Sequence, residues 1–191
     1  MSKYITAVIP CNIAVEQINN IAIINNLIFT PINNRFIKKQ LMNNNLQYYW
    51  VEWINNKYDT AIGNSNKIVP SIEEIINSLS FIPEILDGLS ENFIKEMKEE
   101  ELEEQHIAKE SLENWTRFLR TFLSESPQNE IGLILHCYQG LVENEKAEIS
   151  KIIKINITNL EQLYMPNNMQ EDVLYLFSYS SIDTLSKEYN K

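Results

Sequence analysis

The sequence predicts an α+β fold in which an antiparallel or mixed sheet packs on a helical middle part. Two observations favour this class: β-branched and aromatic runs with strand character lie towards both ends of the chain, and a long segment of helical periodicity lies between them. A length of 191 residues is typical of one domain, and a chain of this size removes roughly 70% of its unfolded surface from water. We therefore expect a single domain over residues 1–191, with a polar tail that is frayed from about residue 183.

The N-terminal third carries strand patterns on either side of a weaker helical pattern. Residues 4–9 are rich in β-branched side chains and predict a strand, whereas apolar residues recur at helical spacing over residues 15–28, which predicts a helix. The segment Leu46–Ile54, LQYYWVEWI, predicts an aromatic strand. A turn-forming Asn pair follows it, so a return strand over residues 58–62 would complete a hairpin.

The middle of the chain is predicted to be helical. Ser71 and Glu74 have the spacing of a capping box, in which each side chain accepts a hydrogen bond from the other's backbone N–H, and the helix that it opens must end before Pro83. A second, long and acidic helix is predicted from a cap at Ser90 to about Leu123, because large apolar residues recur there at helical spacing.

Apolar and polar side chains alternate with a period of two in the C-terminal third. The segments EIGLILHCY at 130–138, SKIIKINI at 150–157 and DVLYLF at 172–177 each predict a strand. Between the last two, Thr158 and Glu161 have capping-box spacing and predict a short helix.

The overall charge excludes two classes of partner. Sixteen basic and twenty-six acidic residues give a net charge of −10 and a pI near 4.7, which repels phosphate backbones and anionic membranes. We therefore expect no nucleic-acid and no membrane partner. A membrane-spanning segment is not expected either, because no apolar stretch is long enough to span a bilayer and the N-terminus lacks a signal segment. The two Cys are expected to be buried thiols in a reducing compartment, which indicates a cytoplasmic protein.

Motifs for catalysis, cofactors and metals are absent from the sequence. With four Gly in all there is no phosphate-binding loop, and neither a nucleophile elbow nor an H-E-x-x-H motif occurs. Glu103 and His106 have a spacing that di-iron bundles use, but such sites need a second Glu-x-x-His on a facing helix. The other histidine, His136, has no acidic partner in its neighbourhood. We predict no catalytic residue, no cofactor and no metal ligand, with His106 in solvent.

Cys137 follows His136 directly and leaves one enzymatic alternative open, a hydrolase with a thiolate–imidazole pair. Consecutive side chains of a strand point to opposite faces, so these two would diverge, although His106 could approach Cys137 through the fold. The apolar residues before Cys137 favour a packing role for it.

Negative charge is concentrated in one segment of the predicted long helix. Between Asp87 and Glu113 there are ten acidic residues and three Lys, a net charge of −7. Glu99 and Glu103 are one of several like-charge pairs at i, i+4, each of which costs about 0.2–0.5 kcal/mol. Solvated helices also carry many Glu, but a concentrated negative field would guide a basic protein partner. The residues predicted to bind this partner are Glu99, Glu100, Glu101, Glu103 and Glu104.

This profile of small size, acidity and missing motifs resembles that of bacterial immunity proteins, which bind a cognate toxin such as a nuclease and block its active site. Some phage-encoded anti-defence inhibitors have the same profile. The resemblance implies a non-catalytic inhibitor of a basic toxin or enzyme. Two alternatives stay open: an enzyme of unfamiliar type, and a homo-oligomeric scaffold module that uses the aromatic strand as its interface. The sequence does not determine the oligomeric state.

Overall fold

A six-stranded mixed sheet with helices on both faces forms the protein, which confirms the predicted α+β class. A computed structural model describes residues 2–41, 45–54, 91–127, 129–138, 143–166 and 169–180. The strands are β1 (Ser2–Pro10), β2 (Leu27–Ile32), β3 (Leu46–Trp53), β4 (Glu130–Tyr138), β5 (Lys151–Ile157) and β6 (Val173–Tyr179). The helices in the described ranges are α1 (Val15–Ile24), α2 (Arg35–Leu41) and α3 (Glu91–Glu125), with a 3-10 turn at Leu160–Gln162.

The strand order is β2-β3-β1-β4-β6-β5. All neighbouring strands are antiparallel except β5 and β6, which are parallel. One half of the sheet therefore comes from the N-terminal part of the chain and the other half from the C-terminal part. The two halves meet where β1 pairs with β4, so residues more than a hundred positions apart become neighbours at the centre of the sheet.

The helix predicted over residues 15–28 ends earlier, at Ile24, and residues 27–32 form the unpredicted strand β2. Asn26 supplies the physical reason, because its backbone is left-handed, with φ of 57°. Asn tolerates this conformation better than other non-Gly residues, so it can follow the last turn of a helix. The reversed chain then brings β2 back alongside β3.

Helix α2 was also absent from the sequence prediction, and two polar side chains fix its position. Asn34 caps the helix by accepting hydrogen bonds from its first backbone N–H groups, and its amide donates to the carbonyl of Glu145 at 3.0 Å. Gln40 donates to the carbonyl of Ala147 and accepts from the N–H of Ile149. Residues 143–150 are thereby held alongside α2.

The larger core lies on one face of the sheet, beneath α1 and the C-terminal half of α3. Trp115, Phe118 and Phe122 of α3 are fully buried, and the first two contact Phe29 of β2 with ring centroids 6.2 Å and 4.9 Å away. Burying a large apolar side chain contributes about 1.5–3 kcal/mol. The C-terminal half of α3 is therefore firmly attached to the sheet.

A smaller core lies on the opposite face and includes α2. Its buried residues are Val8, Ile37, Tyr48, Ile134, Ala147 and Leu174. Strand β4 passes close to its neighbours here: a Cβ added to Gly132 would lie 2.8 Å from Cδ1 of Leu174 and 3.3 Å from Cβ of Val8. Glycine at this position therefore permits the close approach of the strands.

The outer edge of β2 is occupied by a side chain of α1. The amide of Asn19 accepts a hydrogen bond from the N–H of Phe29 at 2.8 Å and donates to the carbonyl of the same residue at 3.0 Å. Pro31, two residues further along the same edge, has no N–H to donate.

The remaining predictions concern five strands, one helix cap and three segments outside the described residues. The strands predicted over residues 4–9, 46–54, 130–138, 150–157 and 172–177 correspond to β1, β3, β4, β5 and β6. The capping prediction at Thr158 is wrong, because the side chain of Asn159 accepts the hydrogen bond from the N–H of Glu161 and a 3-10 turn follows. The predicted return strand, the helix from Ser71 and the tail from residue 183 lie outside the described residues. Within the ranges that the structure describes, no helix is both long and apolar enough to cross a membrane.

Candidate functional site

His136 lies near the end of β4, on the sheet face that carries the smaller core. It is only 6% exposed, and its ring meets that of Tyr138 edge-on with centroids 4.6 Å apart. The strand places it there because alternate residues of β4 share a face, so that Ile134, His136 and Tyr138 point the same way. A buried imidazole is costly to desolvate unless it finds a hydrogen-bonding partner.

Asp172 is that partner, with its Oδ1 at 2.5 Å from Nδ1 of His136. In this arrangement Nδ1–H donates to the carboxylate, which leaves Nε2 as the second polar atom of the ring. No described residue forms a hydrogen bond with Nε2, which is buried. The prediction that His136 lacks an acidic partner is therefore wrong: the pairing of β4 with β6 brings in a carboxylate from 36 residues further along the chain.

The backbone of Asp172 is fixed at three points. Its N–H donates to the carbonyl of Leu135 at 2.9 Å, and its own carbonyl accepts from the N–H and the hydroxyl of Ser150 at 2.8 and 2.9 Å. The residue is left-handed, with φ of 60°, a conformation that costs most non-Gly residues about 1–2 kcal/mol and Asp less. These hydrogen bonds offset that cost and aim the carboxylate at His136.

Glu171 places a second carboxylate beside the first. Its backbone forms an isolated bridge with Leu135, and its Oε1 accepts a hydrogen bond from the N–H of Cys137 at 3.2 Å. One ligand atom from each of His136, Glu171 and Asp172 can be chosen such that all three lie within 4.8 Å of one another. We call these three residues the His136 cluster.

The His136 cluster borders an open groove of about 910 Å³ between α2 and residues 146–150. The two carboxylates of the cluster line the groove, together with the basic side chains of Lys39 and Lys146 and the acidic side chain of Glu148. Glu171 is exposed and the Asp172 side chain is 31% exposed, whereas His136 lies behind them. Solvent therefore reaches the cluster from its carboxylate side.

Tyr138 closes the other side of His136. Its hydroxyl shares a hydrogen bond of 2.5 Å with that of Thr6, and its ring lies near those of Tyr4 and Trp50. Burial is the largest influence on this phenol and raises the pKa of Tyr138. The Thr6 hydrogen bond lowers the same pKa, while the negative charge of Asp172 and, to a smaller extent, of Glu145 raises it.

The structure does not bring His136 and Cys137 together as a thiolate–imidazole pair. Cys137 is half-buried and follows His136 in β4, so its side chain leaves the strand on the opposite side. His106 is exposed on α3. The expectation of two buried thiols is wrong for Cys11, which is exposed in the turn after β1.

The predicted partner-binding residues all lie in the N-terminal half of α3. Glu99, Glu100 and Glu103 are exposed, whereas the side chains of Glu101 and Glu104 lie outside the described part. Among the described side chains from 95 to 110, none is buried. We call residues 95–110 the acidic arm, because they precede the part of α3 that packs on the sheet.

Sequence reasoning missed the His136 cluster because His136 lies on β4, whereas Glu171 and Asp172 lie directly before β6. The signals were present as a histidine near the end of one strand pattern and an acidic pair at the start of another. They meet only if those strands are adjacent and antiparallel, which depends on the topology of the sheet.

Known proteins give no independent guidance: no family model matches the chain, and no similar curated protein or solved structure was found.

Proposed function

We propose that this protein is a non-catalytic cytoplasmic inhibitor that binds a basic protein, such as a toxin, through the acidic arm of α3. The single observation that carries the proposal is the exposure of Glu99, Glu100 and Glu103 on a helical segment whose described side chains are all outside the core. The C-terminal half of α3 is anchored by its buried aromatic side chains, so the arm has a rigid base.

The composition of the acidic arm suits an electrostatic docking surface. It contains seven Glu and three Lys, and the ion pair between Lys95 and Glu99, at 3.8 Å, joins two well-exposed side chains. Exposed ion pairs of this kind contribute little to stability. A concentrated negative field accelerates the encounter with a positively charged protein and fixes the orientation in which it docks.

Leu102 gives the arm an apolar contact among these charges. Its side chain is 65% exposed on this strongly charged segment of the helix. Protein interfaces combine an apolar centre with a polar rim, and Leu102 with the neighbouring Glu residues has this composition. We infer that Leu102 slows the dissociation of the partner, whereas the Glu residues accelerate its association.

Two structural features support this proposal over the alternatives. His136 is buried and Cys137 lies on the other side of its strand, an arrangement that disfavours a thiolate–imidazole pair of these two residues. The aromatic strand β3 pairs with β1 on one edge and with β2 on the other, so over these residues its backbone is not available for a second copy.

The proposal is tested by association kinetics with a basic protein that copurifies with the tagged chain. The triple variant Glu99→Gln, Glu100→Gln, Glu103→Gln should associate roughly tenfold more slowly at low ionic strength, because long-range steering is weakened. The difference should fade towards 1 M salt, where the Debye length falls from about 10 Å at 0.1 M to about 3 Å. Thermal unfolding should hardly change, since Gln and Glu have similar helix propensities.

The matched control carries the same change of charge elsewhere. Glu16, Glu52 and Glu161 are exposed and lie outside the arm, so their replacement by Gln should alter the association rate far less. Equal effects of the two triple variants would mean that only net charge matters. Equal salt dependence of the arm variant and the parent, or the absence of any basic copurifying protein, would contradict the proposal.

A further inference from the structure

We propose that the His136 cluster binds a divalent transition-metal ion, with zinc as the ion to test, at the side of the groove between α2 and residues 146–150. This inference is independent of the acidic arm, which belongs to a different element. It departs from the sequence-based expectation that the chain has no metal ligand.

The donor set determines the class of ion. One imidazole nitrogen and two carboxylate oxygens suit zinc, manganese or iron(II), whereas magnesium and calcium prefer sites made of oxygen alone. Three protein ligands leave further coordination positions for water, as in zinc sites that keep an open position. The groove gives water access to those positions, because both carboxylates line it.

The distances within the cluster require only a small rearrangement. Zinc lies about 2.0–2.2 Å from nitrogen and oxygen ligands, so two ligands of one tetrahedral ion are roughly 3.3–3.6 Å apart. Nδ1 of His136 and Oδ1 of Asp172 are 2.5 Å apart, and the cluster as a whole spans no more than 4.8 Å. A separation of the first pair by roughly one ångström, with rotation of the exposed Glu171 side chain, would therefore accommodate the ion.

Backbone hydrogen bonds keep both acidic residues beside His136 without the ion. Asp172 keeps a left-handed conformation through hydrogen bonds to Leu135 and Ser150, and Glu171 is held by the N–H of Cys137. Strained residues of this kind concentrate at functional sites, where the surrounding structure maintains them. Neighbouring carboxylates repel each other, and a bound cation would relieve that repulsion.

The buried imidazole completes the donor set of the cluster. His136 is 6% exposed, and its Nδ1 is directed at the carboxylates. Without an ion, Nδ1–H donates to Asp172. An ion would replace this proton on Nδ1, and the neutral ring would then carry its proton on Nε2, so binding would switch the tautomer of His136.

The experiment is a calorimetric titration of the full-length, chelator-washed protein with Zn²⁺. All proteins carry Cys11→Ser, because an exposed thiol is a competing zinc ligand. One ion per chain is expected. Asp172→Asn, which keeps an acceptor for Nδ1–H and tolerates the left-handed backbone, should weaken binding at least tenfold, and Glu171→Gln should do the same.

Glu148→Gln is the matched control, since Glu148 is exposed and lines the same groove outside the cluster. Its affinity should equal that of the parent. Nitrogen NMR of His136 provides a second measurement, in which zinc should move the ring proton from Nδ1 to Nε2. Absence of zinc binding, equal binding by Asp172→Asn and Glu148→Gln, or an unchanged tautomer would overturn the proposal and leave a purely structural hydrogen bond.

Discussion

Asp172 combines, within one residue, a left-handed backbone, a partly exposed carboxylate and the hydrogen bond to His136. Replacing it with Ala removes a hydrogen bond worth about 1.5–3 kcal/mol when one partner is charged, and it leaves a side chain that resists positive φ. We expect Asp172→Ala to lower the free energy of unfolding by roughly 2–4 kcal/mol. Urea denaturation of the metal-free protein measures this change.

Two further substitutions at position 172 separate the contribution of the backbone conformation to stability from that of the side-chain hydrogen bond. Asp172→Gly loses the same hydrogen bond but adopts positive φ without strain, so it should be about 1 kcal/mol more stable than the Ala variant. Asp172→Asn keeps an uncharged hydrogen-bond acceptor and tolerates positive φ. It should therefore lower the free energy of unfolding least. Equal stabilities of the Ala and Gly variants would show that the left-handed backbone costs little here.

Tyr138 makes stability depend on alkaline pH. Burial raises the pKa of this phenol above its ordinary value of 10.0, so the folded state holds the proton more tightly than the unfolded state does. Its contribution is fully present below pH 10.0 and is lost as pH rises through the folded-state pKa. The free energy of unfolding should therefore decline above about pH 10, and less steeply in Tyr138→Phe.

The pKa values of Tyr48 and Tyr49 are also raised by burial, so some decline should remain in the Tyr138→Phe protein. Urea unfolding at several pH values between about 8 and 11 gives the slope of the free energy of unfolding against pH for the parent and for Tyr138→Phe. Identical slopes for parent and variant would rule out Tyr138 as a source of the alkaline sensitivity.

Individual residues also explain why the sequence predicted strands but not the His136 cluster. Alternating apolar side chains indicate that residues 130–138 form a strand, because this alternation depends only on residues that are close in sequence. The neighbour of that strand is a non-local property, fixed by how the cores on both faces pack. His136 could therefore be placed on a strand, but Asp172 could not be placed beside it.

At the scale of elements, the N-terminal part of the chain illustrates a different limit. Apolar residues continue in helical register from α1 into residues 27 and 28, so the pattern alone extends the helix. The left-handed backbone of Asn26 and the pairing of β2 with β3 override this pattern. Helix α2 was missed because seven residues present less than two full turns of apolar periodicity.

The acidic arm predicts separate kinetic roles for its apolar and charged residues. Leu102→Ala should increase the dissociation rate of the basic partner about tenfold, because short-range apolar contacts act mainly on the bound state. Its association rate should change little, in contrast to the triple Gln variant. Surface plasmon resonance measures both rates.

Ile24→Ala is the matched control for this prediction, since Ile24 is 82% exposed and belongs to α1. It should leave both rates unchanged. If Leu102→Ala changes neither rate, Leu102 lies outside the interface, and if it slows association alone, the assignment of roles is wrong.

At the scale of the whole molecule, two apolar cores hold the sheet together without the His136 cluster. We therefore expect the protein to stay folded without metal: circular dichroism and the cooperativity of thermal unfolding should persist in excess chelator. Added zinc should raise the unfolding temperature of the parent, because a ligand that binds only the folded state stabilises it. Loss of the folded signal on chelation would contradict this prediction.

The amide of Asn19 at the margin of β2 has a consequence for how these molecules behave at high concentration. Exposed strand margins are where separate chains recruit one another into fibrils or exchange strands. An incoming strand would have to displace the Asn19 amide from Phe29 and would then meet Pro31, which has no proton to share. Crowded solutions of the protein should therefore resist fibril growth along this margin, and Asn19→Ala should weaken that resistance.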